Sequence, residues 1–381
     1  MIKQHILRTG VLALSLLALL VCNHCALADV SEKDIKSRLM KKHPIEASWK
    51  RLDVLSVFPT EEDLAKSRYF HHPVDLGISA DNHIFVCDNY LHQIIKFNKT
   101  GEYKGTIGRR GEAPGEFLFP NKIGVSSEGG LFIVEGGKQR VQIINQEGKY
   151  IREFMVFDHV NDFLIRDGAI YANCLYPDEK EENPLVIRLD AYGKIIGAFG
   201  KRINQARHLS IDSTVFLAQS TNEIIAVFEH YPLVRRYSPD GKLIKEFRIN
   251  IDILNRLEKY NYKKQFTNPS AQVIRLPRLT AGVKVIDDRI YILAHLPRLE
   301  IIEVDTEGNI RDYYYSEALK DVLNLSGFEV SRRTEKEAGG GILFYVLQSS
   351  EEAKLYIFGS NGQRESKGIR ASMLNQGKER R

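Results

Sequence analysis

Asn98-Lys99-Thr100-Gly101, Asn145-Gln146-Glu147-Gly148, Asp190-Ala191-Tyr192-Gly193, Ser238-Pro239-Asp240-Gly241, Asp305-Thr306-Glu307-Gly308 and Gly359-Ser360-Asn361-Gly362 are six versions of one turn. Each follows a short apolar run, and each but the last precedes another. Glycine supplies a positive φ, and Asn or Asp hydrogen-bonds its own backbone two residues on, so the pattern reads as a tight strand-to-strand connection. Successive turns begin 47, 45, 48, 67 and 54 residues apart. A period of that length marks a chain of like supersecondary units. Six such all-β units point to a closed six-bladed β-propeller.

Working outward from the turns gives four runs per unit. In the first unit these are Val74 to Ser79, Ile84 to Asp88, Gln93 to Asn98 and Tyr103 to Ile107. The second repeats them with Ile123 to Val125, Leu131 to Val134, Val141 to Ile144 and Tyr150 to Phe154. Short apolar or alternating runs between Gly, Asn and Asp are strand signals. The sixth unit lacks a good fourth strand, because residues 363–381 are polar and basic. Trp49 to Phe58 supplies one, so the N-terminal strand is expected to complete the last blade and leave no open sheet edge at the seam. The propeller is then expected over 49–362, with insertions at 251–277 and 315–327. The first insertion carries a helix pattern near Ile251 to Lys264, and the second has room for a short helix.

The ends of the chain differ in kind. Lys3 and Arg8 precede the apolar run Val11 to Val21, and Ala26-Leu27-Ala28 offers small residues for cleavage. Residues 1–28 read as a secretory signal peptide, which places the protein in the periplasm or outside the cell. The rival reading is a lipoprotein anchor at Cys22 or Cys25. The apolar run is shorter than the roughly 20 residues of a membrane span, so no transmembrane segment is expected after cleavage. Residues 29–48 form a polar segment with a short helix pattern, expected to lie at the surface or fray, and 363–381 is expected to be a disordered tail. The net charge of +5 falls to +3 without Lys3 and Arg8. Export and this modest charge argue against nucleic acid as a partner. Cys87 and Cys174 remain, on non-neighbouring units, beyond the roughly 7 Å reach of a disulfide, so both are expected to be buried thiols.

Gly108-Arg109-Arg110-Gly111-Glu112-Ala113-Pro114-Gly115-Glu116-Phe117-Leu118-Phe119-Pro120 is a Gly-rich linker ending in Phe-x-x-Pro. Ile84 to Asn89 followed by Leu91 to Phe97 is a strand, an acidic residue and a second strand. Leu131 to Ile144 repeats this with Glu135 as the acid and Arg140 as the basic residue. These stretches resemble the NHL-repeat family of six-bladed propellers. The resemblance is good over about 80 residues in the first two units and degenerates beyond them; the third unit puts Cys174 near the acidic position. It implies the propeller fold. It also implies that Asp88 and Glu135 bond blade backbone or the basic residue that follows. Similar propellers include protein-binding modules, RNA-binding modules, lyases and hydrolases, so fold alone does not choose the function.

Strand direction alternates in a blade, so the connections that enter each blade share a face with those between its second and third strands. That face carries the mouth of the central pore. Arg109, Arg110, Arg140, Arg207, Arg278 and Arg298 fall on it and are candidate ligand-binding residues, because a positive face steers anions. His72, His208, His230 and His295 fall there too. Similar lyases hold a metal with histidines from several blades, so these four are candidate ligands for a divalent ion, zinc or calcium, although no cofactor is required by any motif. No phosphate loop or nucleophile elbow is present: Gly108 to Gly115 precedes a strand and lacks the Lys-Ser/Thr ending. The reading is an exported, monomeric binding module for a protein, a glycan or a small anionic ligand. The alternative is a metal-dependent lyase or hydrolase with its site at the pore mouth.

Overall fold

The computed structural model describes residues 32, 34–41, 43–46, 48–156, 159–175, 183–203, 211, 213–267, 276–320, 324–333, 341–350 and 352–360. Residues 1–28, residues 363–381, Arg207 and His208 lie outside these, and with them the expected signal peptide and tail. After a short helix at residues 34–40 (α1), the first strand is β1 (Lys50–Phe58). Helix α2 (Glu61–Ala65) then leads into blade 1: β2 (Pro73–Ile78), β3 (Ile84–Asp88), β4 (Gln93–Phe97) and β5 (Tyr103–Ile107). Blade 2 is β6 (Pro120–Val125), β7 (Leu131–Glu135), β8 (Arg140–Ile144) and β9 (Tyr150–Met155). Blade 3 is β10 (His159–Arg166), β11 (Ala169–Leu175), β12 (Val186–Leu189) and β13 (Ile195–Phe199). Blade 4 is β14 (Val215–Gln219), β15 (Ile224–Phe228), β16 (Leu233–Tyr237) and β17 (Leu243–Arg248). Helix α3 (Asp252–Thr267) follows it. Blade 5 is β18 (Thr280–Ile286), β19 (Arg289–Ala294), β20 (Arg298–Asp305) and β21 (Ile310–Lys320). Blade 6 is β22 (Leu325–Arg333), β23 (Gly341–Gln348) and β24 (Lys354–Ser360), with β1 as its outer strand.

The N-terminal strand does close the ring. β1 pairs antiparallel with β24 from Leu52↔Ser360 to Phe58↔Leu355, and its first residues bridge to β21 at Lys50↔Tyr314 and Arg51↔Tyr315. The innermost strands β2, β6, β10, β14, β18 and β22 neighbour one another in turn, and β22 returns to β2. Six apolar clusters fill the six blade interfaces; Phe85, Cys87 and Ile94, for example, meet Ile123, Leu131 and Ile133 between blades 1 and 2. The second strands β3, β7 and β15 are buried along their whole length, as expected for strands covered on both faces. Cys87 and Cys174 are both buried thiols, and burial pushes the Cys87 thiol up.

Five of the six signature turns share one geometry. The glycine N–H donates to the carbonyl of the first residue at 2.8–3.0 Å in all five, and φ at the glycine is between 82° and 94°. Asn98, Asn145, Asp190 and Asp305 each accept two further backbone N–H bonds on the side chain. Ser238 accepts one. The glycine has a second role. A Cβ at Gly148, Gly241 or Gly308 would lie 2.6–2.7 Å from Ile107, Phe199 or Phe247, each on the outer strand of the preceding blade. At Gly101 it would meet Ser56 of β1 and Ile357, so the closing strand obeys the same rule. In the sixth stretch Gly359 and Ser360 are still strand, and Asn361 and Gly362 lie outside the described residues.

Two expectations are corrected. Residues 315–327 are not a helical insertion: β21 runs on to Lys320 and β22 begins at Leu325. The extra length lies in long strands, because the Tyr313-Tyr314-Tyr315 run favours an extended, half-buried surface. Tyr313 and Tyr314 are buried, with their hydroxyls donating to Glu300 and Glu303. The described residues of the N-terminal segment do not fray. Residues 34–41, 43–46 and 48–49 form a strap on blade 5, with Lys36 fully buried and Trp49 stacked on Tyr313 at 3.9 Å. Leu39, Met40 and Trp49 pack on the apolar cluster shared by blades 4 and 5 and α3.

Candidate functional site

Asp88 and Glu135 close equivalent strands β3 and β7, and both hold the linker entering their blade. Asp88 accepts the backbone N–H groups of His71, His72 and Leu91. Glu135 accepts the Leu118 N–H at 2.7 Å and pairs with Arg140 at 2.7 Å. Arg140 is 2 % exposed and also reaches Glu153 and the carbonyls of Glu112 and Glu116, so it is tied into the blade and not presented to a ligand. In blade 3, Cys174 takes the register position of the acid, opposite Val160. Its neighbour Asn173 does the joining instead. Buried Asn173 donates to the carbonyls of Leu185 and Ser213 and accepts from the Val215 N–H, linking blade 3 to blade 4.

The remaining arginines do not converge. Arg109 is 81 % exposed and pairs with Glu116, while Arg110 is exposed and bridges to Phe117. Arg298 pairs with Glu300 and lies over the Trp49 ring, under the strap. Arg278 opens on the pore mouth, 3.6 Å from Glu229 and 3.0 Å from His295 Nε2. Among the described residues, each of these pore-face cations except Arg110 therefore faces a carboxylate. The histidines are equally scattered. His72 lines the mouth, His230 lies beside Glu229 and the Pro277 carbonyl, and His295 is buried under α1. Among the described residues, no set of three His, Cys, Asp or Glu side chains gathers with metal-ligating geometry.

The strap explains His295. Lys36 lies against its Nδ1, donates to its carbonyl and pairs with Glu32 at 2.6 Å; Glu32 accepts the Arg278 N–H. Burial, with Lys36 and Arg278 alongside, pushes the His295 imidazole down to about 3. Burial also pushes Lys36 down to about 8, against the pull of Glu32. Burial alone would raise Glu32, but its bonds to His295 and Lys36 hold it well below the usual carboxylate range.

The mouth itself is a cavity of about 570 Å³ bordered by all six blades. Its polar lining is Asn121, Gln139, Asn161 and Asn324 with Ser326 and Ser349, joined by His72, His159, Lys122, Glu229 and Arg278. Apolar wall comes from Val74, Val134, Phe216 and Leu325. Below it, the inner strands place Asp75, Lys122, Asp162, Lys284 and Glu329 within mutual electrostatic reach around the axis. Lys284 and Glu329 pair at 2.7 Å. Asp75 accepts the Ile123 N–H of the next blade, and Asp162 accepts that of Leu217. Burial raises the Asp75 carboxyl, whereas Lys122 is raised because Asp75 and Asp162 outweigh its desolvation. Three acids against two bases leave the channel nearly neutral. Sequence reading passed over this ring, although its signal was present: a charge stands at the third position of β2 and β6, in Pro73-Val74-Asp75 and Pro120-Asn121-Lys122.

At the far end, the channel opens among the turns between first and second strands, lined by Asp167, Asp287, Asp288, Ser126 and Thr221. Arg332 pairs with Asp287 there. Among the described residues, no helix is long and apolar enough to cross a membrane.

Comparison with known proteins agrees with this architecture. The profile of a family described as "6-bladed beta-propeller" matches residues 75–255. The Drosophila melanogaster protein brain tumor is 33 % identical over 87 residues, which is 22 % of this chain and 8 % of that protein. The match thus covers a small part of that relative's length. Among solved structures, a candidate exported protein of Bacteroides fragilis aligns with a TM-score of 0.53 and 13 % identity, covering 81 % of this chain and 94 % of that one. A Bacteroides vulgatus protein aligns with a TM-score of 0.50 and 9 % identity, covering 83 % and 98 %.

Proposed function

We propose that this chain, an NHL-like six-bladed β-propeller, is an exported recognition module that holds the end of a neutral glycan in the mouth of its channel. The observation that carries the reading is the mouth's lining: amides and hydroxyls contributed by blades 2, 3 and 6 above a nearly neutral channel. Amides offer a donor and an acceptor each, which suits ligands rich in hydroxyl groups. The pairing of Arg109, Arg140, Arg278 and Arg298 with carboxylates weighs against an anionic ligand. A protein partner fits less well, since interface anchors favour desolvated aromatic pockets and the mouth offers only half-buried Phe216. Export rests on Lys3, Arg8 and the apolar run before Ala28. Titration calorimetry with chitohexaose and cellohexaose tests the reading. One of the two is expected to bind, and replacing exposed Asn121 and His159 together by Ala is expected to weaken it about tenfold or more, the loss of one to two hydrogen bonds. Absence of binding to either sugar, or binding untouched by the double replacement, would overturn it.

A further inference from the structure

The Phe-x-x-Pro linkers of blades 1 and 2 mount aromatic rings on the rim of the mouth. Blade 1 has Phe70-His71-His72-Pro73, and blade 2 has Phe117-Leu118-Phe119-Pro120. In both, the first phenylalanine is buried. His71 is exposed and stacks on Tyr90 of the β3–β4 loop, with ring centroids 3.8 Å apart and planes 13° from parallel. Tyr90 is still 60 % exposed, so the stack leaves one of its faces open. One buried carboxylate positions both rings: Asp88 accepts the N–H of His71 on the linker and that of Leu91, the residue after Tyr90, on the loop. Phe119 is the exposed ring of blade 2. It is 44 % exposed and has φ of 54°, a left-handed conformation rare for a bulky residue. Its N–H donates to His92 Nδ1 at 2.9 Å, its carbonyl accepts the Gly136 N–H at 3.0 Å, and its ring meets that of His92 edge-on at 4.5 Å. Neither Tyr90 nor Phe119 belongs to the apolar clusters between the blades. Backbone strain that presents an apolar ring to solvent points to a contact surface, and a ring already held in place loses little freedom on contact. The rings adjoin the mouth. Of its lining residues, His72 is next to His71, Asn121 is two residues from Phe119, and Gly136 is hydrogen-bonded to Phe119.

We infer that Tyr90 and Phe119 form a stacking subsite for the pyranose residues of a glycan as it leaves the mouth over blades 1 and 2. This rests on the mouth reading above and extends it. A pyranose carries C–H groups on its ring faces and hydroxyls around its edge. The C–H groups suit the electron-rich face of an aromatic ring, and the hydroxyls suit the amides of the mouth. A protein anchor would seek a desolvated pocket, whereas these rings stand open on the rim. Calorimetry on the full chain with chitobiose, cellobiose, chitohexaose and cellohexaose tests the subsite. The sugar that binds is expected to bind about fivefold tighter or more as the hexasaccharide than as the disaccharide. Tyr90→Ala is expected to cut this affinity ratio about threefold or more. Phe119→Asn, which keeps a residue that tolerates the left-handed backbone, is expected to do the same. Tyr90→Phe is expected to keep the ratio. The Asn121→Ala/His159→Ala variant of the mouth is expected to weaken both lengths together. Binding of neither sugar would sink the mouth reading and the subsite with it. Where a sugar binds, equal affinity for the two lengths, a ratio untouched by both Tyr90→Ala and Phe119→Asn, or a loss in Tyr90→Phe as large as in Tyr90→Ala would overturn the subsite alone. Self-association in sedimentation velocity that Tyr90→Ala abolishes would assign the rings to a second copy of the chain and overturn it as well.

Discussion

Replacing the signature glycines by alanine separates their two roles. Gly168, Gly241 and Gly308 have φ of 73°, 94° and 92°, so alanine meets a similar backbone penalty at each. That penalty is about 1–2 kcal/mol. The surroundings differ. At Gly168 a new Cβ has nothing within 4 Å. At Gly308 it would lie 2.6 Å from Cδ2 and 3.2 Å from Cβ of Phe247, so the ring can rotate aside. At Gly241 it would lie 2.6 Å from the Cβ of Phe199 itself, an atom fixed to the backbone of β13. No rotamer relieves that contact, and the strand must shift. Overpacking of this kind adds about 1–3 kcal/mol. The expected losses are therefore about 1–2 kcal/mol for Gly168→Ala, about 2–3 for Gly308→Ala and up to about 5 for Gly241→Ala, against a total stability on the order of 5–15 kcal/mol. Urea unfolding followed by tryptophan fluorescence measures the series, since Trp49 in the strap is the single tryptophan. In a Phe247→Ala background, which removes the ring but leaves its Cβ, the Gly308→Ala loss should fall toward the Gly168→Ala value. Equal losses at all three glycines, or no relief on removing Phe247, would refute the idea that these turns lock each blade to the one before.

Acid should release the strap. His295 is lowered from 6.5 to about 3 in the folded chain, so its contribution is complete above pH 6.5 and lost as pH falls toward 3. Glu32, also held low, adds in the same direction below its ordinary 4.5. Amides of 34–40, corrected for intrinsic exchange, should lose protection from hydrogen exchange across that window; protection constant down to pH 3 would contradict the account. Arg140→Met leaves Glu135 buried and unpaired and should cost about 3–5 kcal/mol, whereas Arg109→Ala, at an exposed pair, should change stability by under about 1 kcal/mol, both read from urea midpoints. Asp88→Ala strips the acceptor from three backbone N–H groups and should cost about 2–4 kcal/mol, with exchange of the His71 and His72 amides rising first.

The fold was legible because its signals are local. A turn of the Asn-x-x-Gly type, a strand of five apolar residues and a Phe-x-x-Pro linker each depend on neighbours in sequence. The borrowed strand β1 was legible too, because the sixth unit lacks one and Trp49 to Phe58 has the right pattern and phase. The site was much less so. Arg140 and Arg298 look like free cations in sequence, and only the fold shows the carboxylates that meet them. Lys36 looks like surface charge on a short polar helix, yet it is buried against a histidine more than 250 positions away. Register explains another part: the charged ring of Asp75, Lys122 and Asp162 has its meaning only once the inner strands face one axis.

A crystal structure with bound chitohexaose or cellohexaose tests the central claim most directly. The account predicts sugar density in the channel mouth, hydrogen-bonded to at least two of Asn121, Gln139, Asn161 and Asn324. Density resting on the opposite face, against the turns at Asp167 and Asp288, or no ordered sugar at saturating concentration, would contradict it.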